Sequence, residues 1–213
     1  MRAKGHRPGT PKAAPRDDVA LYVSQLPSYV FGPRATMWWG TFGVIAIEGM
    51  VFALAAASYF YLRSHAREWP LGVPPPELSW GMVNMAILAV STLPNHWTKR
   101  AAEQHDLRKV RIGLTVCVAF ALAFLVVRIF EFRSLNVGWD TNAYGSIVWL
   151  LLALHTAHLL TDFVDTAVLT VLMYTGPIEG RRYADVADNA VYWDFVVLAW
   201  IPLYFIVYWA PRL

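Results

Sequence analysis

A few ionisable residues lie inside otherwise apolar stretches of this 213-residue chain. Glu48 is the only charged residue between Met37 and Leu62, and about 11 helical residues place it roughly 16 Å from the start of that stretch. A second group contains four ionisable residues that are 3, 4 and 3 positions apart, which places them on one face of a helix. They are His155, His158, Asp162 and Asp165. Asp194 is expected at the level of these two aspartates.

Three kinds of chemistry are open for these residues. They can form a hydrogen-bonded polar seam that fixes helix packing, or a proton-handling patch, because His titrates near neutral pH and clustered acids attract protons. A metal site fits less well, because di-iron bundles combine four carboxylates with two Glu-x-x-His pairs. Glu48 and His155 fall at similar depths, so we predict that their two helices bring them together.

The composition indicates that the elements holding these residues are membrane spans. The apolar fraction is 57% and the charged fraction 15%, above and below the values typical of soluble domains. This excludes disorder, and the single cysteine excludes a disulfide scaffold. The basic residues lie between long uncharged stretches and not on one soluble face, which argues against a nucleic-acid partner.

Five apolar segments predict an all-α, polytopic bundle of five transmembrane helices, because about 20 residues cross the hydrocarbon as a helix. They cover about residues 37–62, 78–97, 110–130, 144–174 and 190–209. Residues 1–36 are predicted to be a polar cytoplasmic tail, and residues 37–213 the membrane domain. Small residues at four-residue spacing predict helix–helix seams. They are Gly49, Ala53 and Ala57, then Ala119 and Ala123, then Ala153 and Ala157.

The Lys and Arg residues predict the orientation. They concentrate in the tail and in the loops after the second and fourth segments, and fewer lie on the other side, among them Arg128 near a helix end. Positive loops stay in the cytoplasm. We therefore expect the N-terminus inside and the C-terminus outside.

Short motifs recur along these segments. They are Trp38-Trp39-Gly40 before Glu48, Arg63, Asn84, Ser91-Thr92, Glu131-Phe132, Tyr144-Gly145-Ser146, His155-x-x-His158 and Tyr192-Trp193-Asp194. In this order they resemble subunit III of the haem–copper oxidases, the terminal respiratory oxidases, from about residue 37 to the C-terminus. The five segments look like the shorter form of that family.

The resemblance implies an accessory subunit with no catalytic, cofactor-binding or metal-binding residues of its own. Haem and copper are then expected in partner subunits, with catalytic subunit I and other oxidase subunits as partners and structural phospholipid bound. The resemblance also implies support for proton uptake during oxygen reduction. From its depth in the first segment, we predict that Glu48 is the key buried acid. The expected location is the inner (plasma) membrane of a bacterium.

Three positions depart from the family's pattern. Asp162 stands where a Gly is usual, Asp194 replaces a His, and Val197 stands where an Asp is common. The polar cluster near the C-terminus is therefore expected to be rearranged. Two alternatives stay open: the related accessory protein of nitric oxide reductases, and a stand-alone metal-dependent membrane enzyme that uses the residues from His155 to Asp165.

Overall fold

The computed structural model describes residues 31–213, which form five long α-helices. They are α1 (Thr36–His65), α2 (Leu78–Glu103), α3 (Leu107–Arg133), α4 (Ala143–Thr175) and α5 (Gly180–Tyr204). A π-helical turn (Phe205–Trp209) and a 3-10 turn (Ala210–Arg212) extend α5. This part of the chain contains no strand, so the predicted all-α architecture is confirmed there. Most of the predicted tail, residues 1–30, lies outside the described residues.

Four segments of the described chain are long and apolar enough to cross a membrane. They are Thr36–His65, Leu107–Arg133, Ala143–Thr175 and Gly180–Arg212. Helix α2 is not among them, although it has 26 residues. Its polar side chains lower its hydropathy, but several of them are buried against neighbouring helices and not exposed on its outer surface. The buried ones are Asn84, Ser91, Asn95 and Thr98.

The helices alternate in direction, which gives the bundle two distinct ends. The start of α2 meets the end of α3 through Asn84 and Glu131, and the end of α4 meets the start of α3 through Met173 and Arg111. We call the end that contains the start of α1 the tail end. The opposite end, with the loops 66–77 and 134–142, is the far end.

Helix α1 is peripheral to a core formed mainly by the other four helices. The core includes Leu88, Phe124, Leu152 and Trp200, all fully buried. Helix α1 packs mainly on α4 and α5, and its buried residues are Phe52, Ala55 and Tyr59. Most of its apolar surface therefore faces away from the other described residues.

The predicted alanine seams are wrong among residues 31–213, although Gly49 of the first stripe lies against Phe195 of α5. The alanines of all three stripes are exposed: Ala53, Ala57, Ala119, Ala123, Ala153 and Ala157. The close approaches occur at glycines of α2 and α3 instead. A Cβ added to Gly113 would lie 2.0 Å from Thr98 Oγ1, and one added to Gly81 would lie 2.5 Å from the Tyr208 ring. At these two positions the helices pack closely because glycine has no side chain.

Helix α5 begins at Gly180, well before the predicted start at about residue 190. Its first turns are rich in charged residues, including Arg181, Asp185 and Asp188. These residues lower the local hydropathy, so the apolar pattern does not indicate a helix there. Near its other end, Pro202 lies inside the helix. Because proline has no N–H to donate, regular α-helical bonding is interrupted there, and the wider π-helical turn follows.

Candidate functional site

A buried ion pair at the far end organises the first polar region. Arg128 Nη1 lies 2.7 Å from Glu131 Oε2, and the two side chains are 1% and 0% exposed. Asn84 Nδ2 and the Tyr208 hydroxyl both donate hydrogen bonds to the Glu131 carboxylate. We call Asn84, Arg128, Glu131, His155 and Tyr208 the ion-pair cluster. It joins α2, α3, α4 and the extension of α5.

Within this cluster, Arg128 fixes the state of His155. Arg128 Nη2 donates to His155 Nδ1 at 3.1 Å, so the hydrogen of the neutral ring is on Nε2, which donates to the Val196 carbonyl at 3.0 Å. The guanidinium also lies over the rings of Trp200 and Phe124, at 4.1 and 4.6 Å from their centroids. Both ring nitrogens of His155 are occupied, so His155 is a packing residue and not a proton carrier.

Arg128 lies near the far-end terminus of α3, as predicted from the sequence, but it is not one of the exposed charges of that side. Arg128 is buried in the bundle, three residues before Glu131. This ion pair could have been predicted from the sequence, because a basic and an acidic residue three apart within an apolar stretch lie on one helical face. Glu131, named above only as a family motif, is its direct partner.

Glu48 forms the centre of the second polar region. Its Oε2 accepts a hydrogen bond from the Tyr192 hydroxyl at 2.7 Å, and its Oε1 lies 3.7 Å from His158 Nε2. His158 Nδ1 lies 2.6 Å from the Leu154 carbonyl, so it is the donor there. The lone pair of Nε2 in the neutral ring therefore faces Glu48. His158, and not His155, is therefore the histidine of α4 that faces Glu48.

Helices α1 and α4 meet as predicted, but Glu48 does not pair with His155. Phe52, one turn further along α1, lies against that part of α4, with its ring centroid 4.8 Å from His158 and 6.3 Å from His155. The predicted register was thus off by about one helical turn, roughly 5 Å. Counting residues from the predicted helix starts cannot resolve that difference.

An acidic cavity of about 500 Å³ adjoins Glu48 and lies towards the tail end, between α1, α4 and α5. Its lining includes four carboxylic acids: Glu48, Asp165, Asp185 and Asp188. Asp162 lies beside it on α4 and is fully buried, and neither of its carboxylate oxygens has a hydrogen-bond partner among residues 31–213. The predicted patch therefore contains Asp162 and Asp165, and gains two acids of α5 that sequence reasoning missed.

Asp194 lies apart from this cavity. Asn95 Nδ2 donates to Asp194 Oδ1 at 3.0 Å, and His96 Nε2 lies 3.7 Å from its Oδ2. The same asparagine donates to the Ala190 carbonyl, and Trp193 Nε1 donates to Ser91 Oγ. Asp194 thus belongs to a polar seam between α2 and α5, not to the patch on α4.

The remaining motif residues hold the helix ends. Trp39 Nε1 donates to the Pro33 carbonyl, next to Trp38 and Gly40 at the start of α1. Tyr144 is buried at the start of α4, where the Gly145 N–H donates to the Asn142 side chain at 2.8 Å. A Cβ at Gly145 would lie 2.2 Å from the Gly138 carbonyl oxygen. Arg63 lies in the last turn of α1.

The predicted acids and histidines do not form a metal site over residues 31–213. No three His, Cys, Asp or Glu side chains there lie close enough together to hold a metal ion. The His155 nitrogens are bonded to other groups, and the spacing from His155 to Asp165 distributes the side chains between two regions. The residues described therefore define a helical bundle protein with membrane-span character, whose polar interior consists of hydrogen bonds and ion pairs.

The chain belongs to the cytochrome c oxidase subunit III family, whose family model matches residues 38–211. That match covers well over half of the chain and includes both polar regions. The resemblance inferred from the motifs is thereby confirmed.

Named relatives agree with this membership. The chain is 26% identical to cytochrome c oxidase subunit 3 of Thermostichus vulcanus, over 78% of this chain and 83% of the relative. It is 25% identical to cytochrome bo(3) ubiquinol oxidase subunit 3 of Pseudomonas aeruginosa, over 75% and 78%. It is 24% identical to a haem–copper oxidase subunit I+III of Aeropyrum pernix, over 90% of this chain but only 26% of that longer relative.

Proposed function

We propose that this chain is an accessory, non-redox subunit III of a terminal respiratory oxidase. Its family membership supports this role, and so do the oxidase names of the relatives above. Haem and copper belong, in this proposal, to partner subunits, because the histidines of the bundle face arginine, carbonyl and carboxylate groups. The subunit I+III name of the Aeropyrum pernix relative favours direct association with catalytic subunit I.

The observation on which the functional role depends is the group formed by Glu48, His158 and Tyr192 beside the acidic cavity. These residues can hold and exchange a proton, and the cavity joins them to the tail end of the bundle. We place this end in the cytoplasm of a bacterium, at its inner membrane. Glu48 then supports proton uptake during oxygen reduction, and His158, not His155, is its partner.

All five helices cross the membrane in this proposal, with the N-terminus inside. Supporting this, most basic side chains outside the core lie at the tail end, as expected of a cytoplasmic face. They include Lys99, Arg100, Arg108, Lys109, Arg181 and Arg182. The exposed apolar surface of α1, including Ile47, Met50 and Leu54, suits lipid or a neighbouring subunit. Structural phospholipid is expected there.

Cysteine labelling tests the orientation. Cys117 is buried, so it reacts little. We expect an impermeant maleimide to label Asp140→Cys, in a far-end loop, in intact cells, and to label Gln104→Cys, in a tail-end loop, only after the membrane is opened. Labelling of Gln104→Cys in intact cells would reverse the orientation.

Co-purification tests the assembly. A tagged chain extracted in a mild detergent should bring with it a larger subunit whose optical spectrum contains haem, together with copper. A chain isolated without haem from cells that respire through this oxidase contradicts the proposal.

The substitution Glu48→Gln tests the role of the acid. It keeps an oxygen for the Tyr192 hydroxyl but removes the exchangeable proton, so the complex should assemble while the pH dependence or durability of its turnover changes. Glu179→Gln is the matched control, because Glu179 is exposed at the same end. An assembled Glu48→Gln complex with the wild-type pH profile and lifetime contradicts this role.

A further inference from the structure

Arg111, near the start of α3, is a half-buried cation at the tail end. Its Nε donates a hydrogen bond to the Met173 carbonyl at 2.8 Å, in the last turn of α4, and its guanidinium carbon lies 5.1 Å from the centroid of the Tyr174 ring. Among residues 31–213, no carboxylate lies within 4.0 Å of this side chain. The guanidinium is thus held in place through Nε, while Nη1 and Nη2 have no acceptor in that part of the chain.

A hydroxyl group beside the guanidinium supplies another donor. The Tyr174 hydroxyl lies 3.4 Å from Thr115 Oγ1, on the exposed surface one turn after Arg111. Thr115 Oγ1 already donates its hydrogen to the Arg111 carbonyl at 2.9 Å, so Tyr174 is the donor of the hydroxyl pair. Tyr174 is 51% exposed, and at 3.4 Å its hydrogen is free to turn to a stronger acceptor outside the chain.

The surrounding surface is positively charged. Arg108, one turn before Arg111, is exposed, and within residues 31–213 no carboxylate lies within 4.0 Å of its side chain. Asp106, the nearest acid in the sequence, is engaged with Lys109, whose Nζ lies 2.8 Å from its carboxylate. The next 24 positions of α3, residues 107–130, contain no acidic residue. These donors and charges suit an anion.

An exposed apolar surface continues from Arg111 towards the middle of α3. It includes Val116, Ala119 and Leu122, and the two alanines on this side, Ala119 and Ala123, keep it low. Leu122 lies 11 residues after Arg111, about 16 Å further along the helix. That distance is about half of the roughly 30 Å thickness of the hydrocarbon. With Leu122 at the centre of a bilayer, Arg111 therefore lies at the level of the lipid headgroups.

We propose that Arg111 and Tyr174, assisted by Arg108, bind the phosphate of an anionic phospholipid whose acyl chain lies along the apolar surface of α3. The free Nη groups match the oxygens of a phosphate, which a guanidinium binds through two parallel hydrogen bonds. The site lies on the outer face of α3 and α4, away from the surface of α1. It rests on the proposal that these helices cross the membrane, but not on which oxidase the chain serves.

Quenching by labelled lipids tests the site in the purified complex. A fluorescent maleimide is attached to Ala119→Cys, and the complex is placed in phosphatidylcholine vesicles that contain a lipid with a doxyl quencher midway along one acyl chain. Cys117 is buried and reacts little. Quenching by doxyl-phosphatidylcholine shows that this face lies in lipid, independently of any headgroup preference. Doxyl-phosphatidylglycerol should bind about tenfold more tightly than doxyl-phosphatidylcholine.

Substitutions separate a built site from a general attraction to the basic tail end. Arg111→Gln should lower the preference for phosphatidylglycerol about fivefold. Tyr174→Phe keeps the ring and every charge but removes the hydroxyl, and should lower it about twofold. Arg100→Gln is the matched control, because Arg100 is an exposed tail-end arginine on α2, and it should leave the preference unchanged.

Three results would overturn the proposal. Equal quenching by the two lipids means that the face has no headgroup site. A preference that Arg111→Gln and Tyr174→Phe both leave unchanged belongs to the basic tail end as a whole. Quenching by neither lipid means that another subunit covers the face or that it lies outside the membrane. If Arg111→Gln does not assemble, Tyr174→Phe and Arg108→Gln decide the matter, each with an expected loss of about twofold. The accessory role is tested separately by co-purification.

Discussion

The ion-pair cluster at the far end and the acidic cavity at the tail end place charges inside the same bundle in opposite ways. At the far end, Glu131 has Arg128, Asn84 and Tyr208 as partners, and the group is closed to solvent. At the tail end, Asp162 and Asp188 have buried oxygens without hydrogen-bond partners among residues 31–213, and an open cavity lies beside them. Both regions contain buried acids, so burial alone does not distinguish their roles.

The difference lies in whether a charge is satisfied within the chain. A buried charge with its counter-charge beside it, such as Glu131 with Arg128, fixes geometry, since breaking the pair leaves an uncompensated charge, although Arg128 Nε and Asn84 Oδ1 have no hydrogen-bond partner among residues 31–213. An acid without a partner next to a cavity can exchange protons or bind a cation from outside. We therefore assign the far end to architecture and the tail end to function.

The largest expected effect comes from breaking the ion pair. Arg128→Met removes the cation but keeps much of the side-chain volume, and it leaves Glu131 buried without its counter-charge. We expect the free energy of unfolding to fall by about 3–5 kcal/mol. The measurement is equilibrium unfolding of the detergent-solubilised subunit.

The double variant Arg128→Met with Glu131→Gln is the control. It removes both charges while Gln can still bond Asn84 and Tyr208, so it should recover much of the lost stability. A double variant as unstable as Arg128→Met alone would mean that packing of the guanidinium on Trp200, and not charge, dominates.

A smaller loss is expected from crowding the same cluster without changing any charge. Gly81→Ala places a Cβ 2.5 Å from the ring of Tyr208, whose hydroxyl is held by Glu131. The ring must shift, which should cost about 1–3 kcal/mol of unfolding free energy. Gly43→Ala is the matched control, because nothing lies within 4 Å of its Cβ. Equal stability of the two variants would mean that the far end is not tightly packed.

The comparison predicts the opposite sign at the tail end. Asp162→Val removes a buried acid that has no hydrogen-bond partner in the described part of the chain, so the isolated subunit should gain about 1 kcal/mol of unfolding free energy. Asp162→Asn should gain less, since it stays polar. The same thermal or denaturant unfolding measurement applies to both. A loss of stability in Asp162→Val would show that Asp162 is bonded in the folded protein and would weaken the distinction between the two ends.

Much of the architecture could be predicted because helices in a membrane leave a strong apolar signal. All five predicted segments fall within helices or their extension, and the contact between α1 and α4 follows from acids and histidines at similar depth. The start of α5 could not be found in the same way, because Arg181 and Asp185 interrupt the apolar pattern.

The partners within the site were less predictable, because they depend on register and rotation. A shift of one helical turn between α1 and α4 decides whether Glu48 faces His158 or His155. Depths counted from predicted helix starts are uncertain by about that much. Rotation explains the alanine stripes as well, since spacing shows that Ala153 and Ala157 share a face but not which way the face points. The direction of that face depends on how the surrounding helices pack against α4.

The smallest expected effect concerns a charge pair on the surface of the tail end, outside both regions. Asp106 caps α3, accepting a hydrogen bond from the Lys109 N–H at 3.1 Å, and its carboxylate lies 2.8 Å from Lys109 Nζ. The hydrogen bonds from the Lys109 side chain and backbone hold the pKa of Asp106 below its usual value. Its stabilisation should therefore be complete above the unfolded-state pKa of about 3.9 and disappear as the pH falls through the lower folded-state pKa.

Asp106→Asn keeps the helix cap but removes the charge, so its melting temperature should match that of the wild type at acidic pH and lie slightly below it at neutral pH. Salt should reduce this difference, because the pair is exposed to solvent. A melting-temperature difference that stayed the same from neutral to acidic pH would contradict the prediction, because it would mean that the charge of Asp106 does not stabilise the fold.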